Sequence, residues 1–389
     1  MTADLQVRPV VSAAERKAFL RLPHQIFATD PAWIAPLAFE RAQHISPRRN
    51  PFFQHATAQL FVAWRDGKPV GRISAQVDDL RNQRHQDATG LFGFLDAVDD
   101  ARVFESLLRT AERWLTARGM QRAIGPFSFS INEETGLLVE GFEHPPAVMM
   151  GHALPYYGAH VEAAGYSGVK DVLAYSFDNS QELPRGLAGM LRKVEATGDL
   201  NVRPLSKKHL DRDLAIVIDI FNDAWSDNWG FTPFSQAEID KLGADLKLLV
   251  SEGFIAFAEY KGEPAAMAVT LPDINQAARD LNGSLFPFGV FKLLARLKLS
   301  PPAAVRMPLM GVRRKFHGHP VGSALAISVI DAIRQYHVAR GTTRAELSWI
   351  LDDNLPMRRM IEAVGGVEYK RYRIYQRQLD AASPAEASA

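Results

Sequence analysis

The chain contains no cysteine among its 389 residues. Disulfides, thiolate nucleophiles and cysteine-ligated metal sites are therefore excluded, and a reducing cytoplasm suits such a sequence. Net charge is also missing. Lys and Arg number 45 against 44 Asp and Glu, so no global field points to nucleic acid. No apolar run is long enough to span a bilayer. The opening stretch, MTADLQVRPVVSAAERKAF, has no apolar core of signal-peptide length. The expectation is a cytoplasmic protein whose contact with a membrane is peripheral, on the inner face of the cell membrane. No metal site is expected.

What is present is an ordinary globular composition, 47% hydrophobic and 23% charged, which argues against a disordered chain. At roughly 100–200 residues per domain the length predicts two domains. An internal repeat agrees. Leu5-Gln6-Val7-Arg8-Pro9-Val10 recurs as Leu200-Asn201-Val202-Arg203-Pro204-Leu205. In each half a short strand and a helical stretch precede a hairpin signal, Asp66-Gly67 in the first and Lys261-Gly262 in the second. Each half then carries an amphipathic helix stopped by Gly, about Ala101 to Arg118 before Gly119 and about Gly322 to Arg340 before Gly341. The predicted fold is α/β (α+β), with two similar mixed, mostly antiparallel sheets flanked by helices. The expected division is 1–180, 181–380 and a disordered tail at 381–389.

The second half holds the most specific chemistry. Leu309-Met310-Gly311-Val312 reads as a buried strand. It feeds Arg313-Arg314-Lys315-Phe316-His317-Gly318-His319-Pro320-Val321-Gly322, and a helix follows. A strand leading through a Gly-containing loop into a helix presents main-chain N–H groups and a helix dipole to an anion. Arg313, Arg314, Lys315, His317 and His319 reinforce the sign. A plain strand-loop-helix connection with solvated basic residues is the other reading.

This stretch resembles the acyl-CoA pyrophosphate loop of the GNAT superfamily, Arg/Gln-x-x-Gly-x-Gly/Ala. His317 stands in the Arg/Gln place, Pro320 in that of the first Gly, and Gly322 matches the second. Pro320 removes one N–H donor. The resemblance implies a cradle built from Val312, Arg313, Arg314, His317, Gly318, His319, Val321, Gly322 and Ser323. Downstream, Ala345-Glu346-Leu347-Ser348-Trp349-Ile350 is the next strand, and Asn354 occupies the position that begins the helix along the pantetheine arm. The slot that often holds a Tyr general acid is Ile361. The departing CoA then leaves as thiolate or takes its proton from another group or water.

For amide formation from a thioester, the resemblance points to the main-chain N–H of Gly311 or Val312 as polariser of the acyl carbonyl. Glu346 is the expected base, with Asp352 and His317 in reserve. Pairing of Glu346 with Arg313 or Arg314 is the alternative. Family members line the acceptor pocket with the first two helices. Here that region includes Asn222, Trp225, Asn228, Trp229 and Phe231, an aromatic wall with amides suited to a long apolar substrate with a polar head. Trp349 is expected as a wall. Core packing of the aromatics is equally open. A Phe- and Leu-rich insertion, 281–299, can form a basic amphipathic helix that lies at a membrane interface, lids a groove or packs in the core. The first half has Asp96, Asp99 and Asp100 where the phosphate turn belongs, and is expected not to bind CoA.

The similarity extends to a bacterial group that includes ceramide synthases, carried by Asp30-Pro31-Ala32-Trp33, Asn50-Pro51-Phe52-Phe53, Asn228-Trp229-Gly230-Phe231 and Ser348-Trp349-Ile350-Leu351-Asp352-Asp353-Asn354. It implies an N-acyltransferase that moves a long acyl chain from acyl-CoA to the amine of a sphingoid base, 3-oxosphinganine or sphinganine. Acyl-CoA is a cosubstrate, with no permanently bound cofactor. The partners are acyl-CoA, a lipid amine and a membrane surface, with no nucleic acid. Acetyl transfer to a small amine or peptide, and non-catalytic lipid binding, remain the alternatives.

Overall fold

The computed structural model describes residues 4–300 and 302–380; the tail at 381–389 lies outside the described residues. In chain order the elements begin with β1 (Leu5–Pro9), α1 (Ala13–Ile26), α2 (Ala38–His44), β2 (Ala56–Arg65), β3 (Lys68–Asp78), α3 (Asp79–His85), β4 (Thr89–Ala97) and α4 (Ala101–Thr116). There follow β5 (Arg122–Gly125), β6 (Phe127–Ser128), β7 (Glu134–Thr135), β8 (Leu137–Glu140), α5 (Tyr157–Ala163) and β9 (Ser167–Asp178). After α6 (Arg185–Glu195) come β10 (Leu200–Pro204), α7 (Leu210–Trp225), α8 (Gln236–Leu249), β11 (Ile255–Tyr260), β12 (Glu263–Pro272), α9 (Ile274–Ala278) and α10 (Gly289–Leu299). The chain closes with β13 (Ala304–Val312), α11 (Pro320–Val338), β14 (Arg344–Leu351), α12 (Leu355–Ala363) and β15 (Val367–Gln378).

Two compact units result. Within the described residues, one comprises 4–172, 279–285 and 370–380, and the other 173–278, 286–300 and 302–369. These bounds differ from a division at 180. The first unit also takes the end of the chain, because Tyr375 to Gln378 of β15 pair antiparallel with Gly125 to Arg122 of β5.

In the first unit β1 pairs antiparallel with β2, β2 with β3 and β3 with β4, and β4 runs parallel to β5. The β2–β3 turn places Asp66 and Gly67 at φ 50° and 74°, the left-handed pair that matches strand twist in a two-residue hairpin. Asp100 caps α4 by accepting the Arg102 N–H at 2.8 Å. Asp96 pairs with Arg72, whose Nε donates at 2.7 Å. The acidic turn thus has structural employment.

The second unit repeats the plan. β10 pairs with β11, β11 with β12 and β12 with β13, all antiparallel, and β13 runs parallel to β14. Lys261 and Gly262 make the hairpin turn at φ 53° and 82°. One face of this sheet packs on α7 and α8 through Val217, Ile220, Phe221 and Leu246. The other packs on α11 through Leu325, Ala326, Val329, Ile330 and Ile333. Each such large side chain buried contributes about 1.5–3 kcal/mol. His337 near the end of α11 is buried, its Nε2 3.0 Å from Thr270 Oγ1, which itself donates to the Phe254 carbonyl. Burial holds the imidazole far below its usual range, at about 4.

Candidate acyl-transfer site

The site is organised by how β13 and β14 part. Their parallel register runs from Ala304↔Arg344 to Met307↔Leu347. Pro308 comes next and has no N–H to offer. β13 continues to Val312 along β12 only, with Leu309↔Val269, Met310↔Ala268, Gly311↔Met267 and Val312↔Ala266. The Arg313 N–H donates to the Ala265 carbonyl at 2.9 Å. By the alternation of an antiparallel ladder, Gly311 also spends its N–H on β12, whereas Met310 and Val312 turn theirs to the opposite edge. Two side-chain contacts agree. Trp225 Nε1 donates to the Met310 carbonyl at 3.3 Å and His317 Nε2 to the Val312 carbonyl at 2.7 Å. Of the two expected polarising amides, only that of Val312 faces the parting of the strands. Gly311 has a packing role, since a Cβ there would press on Ala224 and Ile220 of α7, each at 3.3 Å.

The loop after β13 is a chain of tight turns. Main-chain N–H groups of Phe316, His317, His319 and Gly322 each donate to the carbonyl three residues back. Gly318 takes φ 76°, and His319 is the N-cap of α11. A Cβ on Gly322 would run into the Phe316 carbonyl oxygen, so glycine is required for the loop to fold over the first turn of the helix. Val321 and Ser323 stand beside it in that turn, where helix N–H groups and the dipole favour an anion.

The basic residues depart from the expectation. Arg313 pairs with Asp219 and donates to the Pro264 carbonyl. Arg314 reaches Asp227 at 2.8 Å and Asp223 at 3.7 Å. Lys315 pairs with Glu263 at 2.7 Å. The cause is the acidic stripe Asp219, Asp223 and Asp227, spaced by four along α7 and just past its end. Any charge these cations lend a diphosphate is shared with carboxylates. A polar hollow lined by Asp223, Glu263, Pro264, Arg313 and Lys315 marks this flank.

On β14, Glu346 is 5% exposed and lies opposite Arg306, which is wholly buried. The pairing is with Arg306 of β13, and not with Arg313 or Arg314. Arg306 Nε donates to Ser348 Oγ at 2.8 Å, Ser348 Oγ donates to Glu346 Oε1 at 2.8 Å, and the Tyr369 hydroxyl donates to Glu346 Oε2. The Arg306 guanidinium also stacks over Trp349, 4.2 Å from the ring centroid. Trp349 Nε1 is buried with no hydrogen-bond partner. Sequence reasoning missed Arg306, Ser348 and Tyr369. One signal was available: a lone Arg in the apolar run of β13 requires a buried partner.

The remaining residues are dispersed. Asn354 caps α12, its side chain accepting the Met357 N–H at 3.2 Å. Asp352 is half-buried, its carbonyl taken by Arg358 at 2.9 Å. Ile361 is buried in the core. Phe231 is buried as well, its ring 5.4 Å from that of Phe221. Asn222 is exposed, while Trp225, Asn228 and Trp229 are half-buried.

Comparison with known proteins fits this geometry. No family model matches the chain. A bacterial ceramide synthase from Caulobacter vibrioides is 44% identical over 378 residues, covering 97% of this chain and 98% of that protein. The chain belongs to the bacterial ceramide synthase family. Protein YghO of Escherichia coli is 41% identical over 375 residues, 96% of this chain and 95% of that one. The fold is that of tandem GNAT proteins. A tandem GNAT protein from the clavulanic acid biosynthesis pathway superimposes with a TM-score of 0.57 at 12% identity, covering 98% of this chain and all of that chain. A GCN5-related N-acetyltransferase from Sphaerobacter thermophilus gives 0.51 at 13%, covering 99% and 98%. This ceramide synthase relative is therefore an N-acyltransferase built on two GNAT-like units, and no described helix is long and apolar enough to cross a membrane.

Proposed function

We propose that the chain transfers a long fatty acyl group from acyl-CoA to the primary amine of a sphingoid base, 3-oxosphinganine or sphinganine, forming a ceramide. The observation that carries this reading is 44% identity to a bacterial ceramide synthase across nearly the whole of both chains. In the proposed arrangement the diphosphate rests on the first turn of α11, at Val321, Gly322 and Ser323, with Gly318 and His319 completing the loop. The thioester then lies along the parting of β13 and β14. There the Val312 N–H polarises its carbonyl. The amine nitrogen attacks the carbonyl carbon, the C–S bond breaks and CoA departs. The proton lost by the amine passes to Glu346, directly or through the Tyr369 hydroxyl. Asn354 positions the pantetheine arm, and Asp352 flanks it. Trp349, Trp225, Trp229, Asn222 and Asn228 border the acceptor. A lipid amine resides in a bilayer, so the protein works in the cytoplasm in peripheral contact with the membrane surface.

Thiol release from acetyl-, octanoyl- and palmitoyl-CoA, each with and without sphinganine, tests the reading. Amine-dependent release with palmitoyl-CoA, accompanied by ceramide, is expected. Turnover of acetyl-CoA alone would contradict it.

A further inference from the structure

Two indole N–H groups of the second unit are treated differently by the fold. Trp225 Nε1 donates to the Met310 carbonyl at 3.3 Å. Trp349 Nε1 is shut from water and has no hydrogen-bond partner. A buried donor left unpaired lowers stability, and the large majority of such groups in folded proteins are paired. Among the described residues the indole N–H of Trp64 is also unpaired. Trp64 belongs to β2 and packs against the first unit's cluster of Phe19, Phe52 and Phe129, where no reacting group is proposed.

Trp349 stands with the proposed proton acceptor. The parallel register of β13 and β14 ends at Met307↔Leu347, so Ser348 and Trp349 are the first residues of β14 beyond it. One guanidinium touches three side chains there. Arg306 Nε donates to Ser348 Oγ at 2.8 Å and lies 3.8 Å from Glu346 Oε1, and Arg306 Cζ is 4.2 Å from the centroid of the Trp349 ring. The residue as a whole is half-buried, whereas its Nε1 is covered. An amine that gives its proton to Glu346 therefore carries its neighbouring atoms past the indole. An indole N–H donates and cannot accept, so the atom that satisfies it is an oxygen with a free lone pair and not the nitrogen of an ammonium.

We propose that Trp349 Nε1 donates a hydrogen bond to an oxygen on a carbon next to the amine-bearing carbon of the acceptor, and so selects an amino alcohol or amino ketone over a plain long-chain amine. This rests on the lipid-amine reading and narrows it, because a sphingoid base carries oxygen on both neighbouring carbons. The bond forms as the acceptor displaces the side chains that cover the N–H, a rotamer change of the kind common on binding. An amine without the oxygen leaves the N–H unpaired, and a site built to bond a substrate oxygen rejects the analogue that lacks it.

The test measures kcat/KM for palmitoyl transfer to sphinganine and to octadecan-2-amine, which keeps the amine and chain but lacks both oxygens, in the wild type, Trp349→Phe and Trp349→Leu. The ratio between the two acceptors is taken within each preparation, so it does not depend on how much of a variant is folded. The wild type is expected to prefer sphinganine by at least about tenfold. Trp349→Phe keeps an aromatic ring for Arg306 and removes the N–H; its preference should fall to within about threefold, through loss on sphinganine alone. Trp349→Leu, also without the N–H, should lose the preference likewise. Two further acceptors, 1-deoxysphinganine and 2-aminooctadecan-1-ol, each lack one oxygen, and the one that the wild type treats like octadecan-2-amine identifies the oxygen held. A wild type that acylates all four amines equally would overturn the proposal and leave the acyl-transfer reading standing. So would a Trp349→Phe or Trp349→Leu enzyme that retains the wild-type preference. A wild type that forms an amide with none of them would overturn both.

Discussion

Arg306 and Glu346 occupy facing positions in the parallel register of β13 and β14, yet their nearest charged atoms are 3.8 Å apart and Ser348 Oγ bridges them. Both charges are out of water, so each depends on the other. Removing one partner of such a pair commonly costs about 3–5 kcal/mol, whereas replacing both can be nearly neutral. Arg306→Met should therefore lower stability by about 3 kcal/mol, and adding Glu346→Gln should restore part of the loss. Denaturant unfolding of the two single variants and the double variant checks this.

Glu346 also carries the proposed proton transfer. Glu346→Gln keeps the hydrogen-bonding shape and removes the basicity, and should lower kcat by about 10²-fold while leaving acyl-CoA affinity unchanged. Ser348→Ala, which loosens the carboxylate without removing it, should cost less. A Glu346→Gln enzyme with undiminished kcat would make the carboxylate purely structural.

Gly322 is the loop position least able to accept a side chain. Gly322→Val must displace the Phe316 carbonyl and disturb the first turn of α11. CoA affinity measured by calorimetry should fall at least about tenfold, the equivalent of roughly 1.4 kcal/mol. Gly186→Ala, on α6 with open space around the added Cβ, should leave CoA affinity intact and serves as the control.

Local chemistry made much of this fold legible. The two hairpins follow from Asp66-Gly67 and Lys261-Gly262, and the ends of α4 and α11 from Gly119 and Gly341, both at positive φ. The location of the loop between Val312 and α11 was legible for the same reason. Neither the Arg306–Ser348–Glu346–Tyr369 network nor the return of β15 to the first unit could be read this way. Both depend on which strands lie side by side, and that register is not written in local spacing. The engagement of Arg313 and Arg314 could have been found, since Asp219, Asp223 and Asp227 recur every four residues and mark one acidic helix face.

His337 makes an acid-sensitive contribution. Its folded pKa, about 4, lies below the unfolded value of about 6.5. The unfolded chain thus binds the proton more readily, and stability falls as pH drops from about 6.5 toward 4. The loss is bounded at about 3 kcal/mol by the size of the shift. His337→Gln should flatten this part of the stability profile, measured by denaturant midpoints across that range. An unchanged slope would assign the acid sensitivity to other groups.

The central claim is tested most directly by a crystal structure with CoA bound. The account predicts the diphosphate on the first turn of α11, within hydrogen-bond distance of the Val321 main-chain N–H group, with the thiol end directed toward Val312. A diphosphate bound elsewhere on the chain, with this turn vacant, would contradict it.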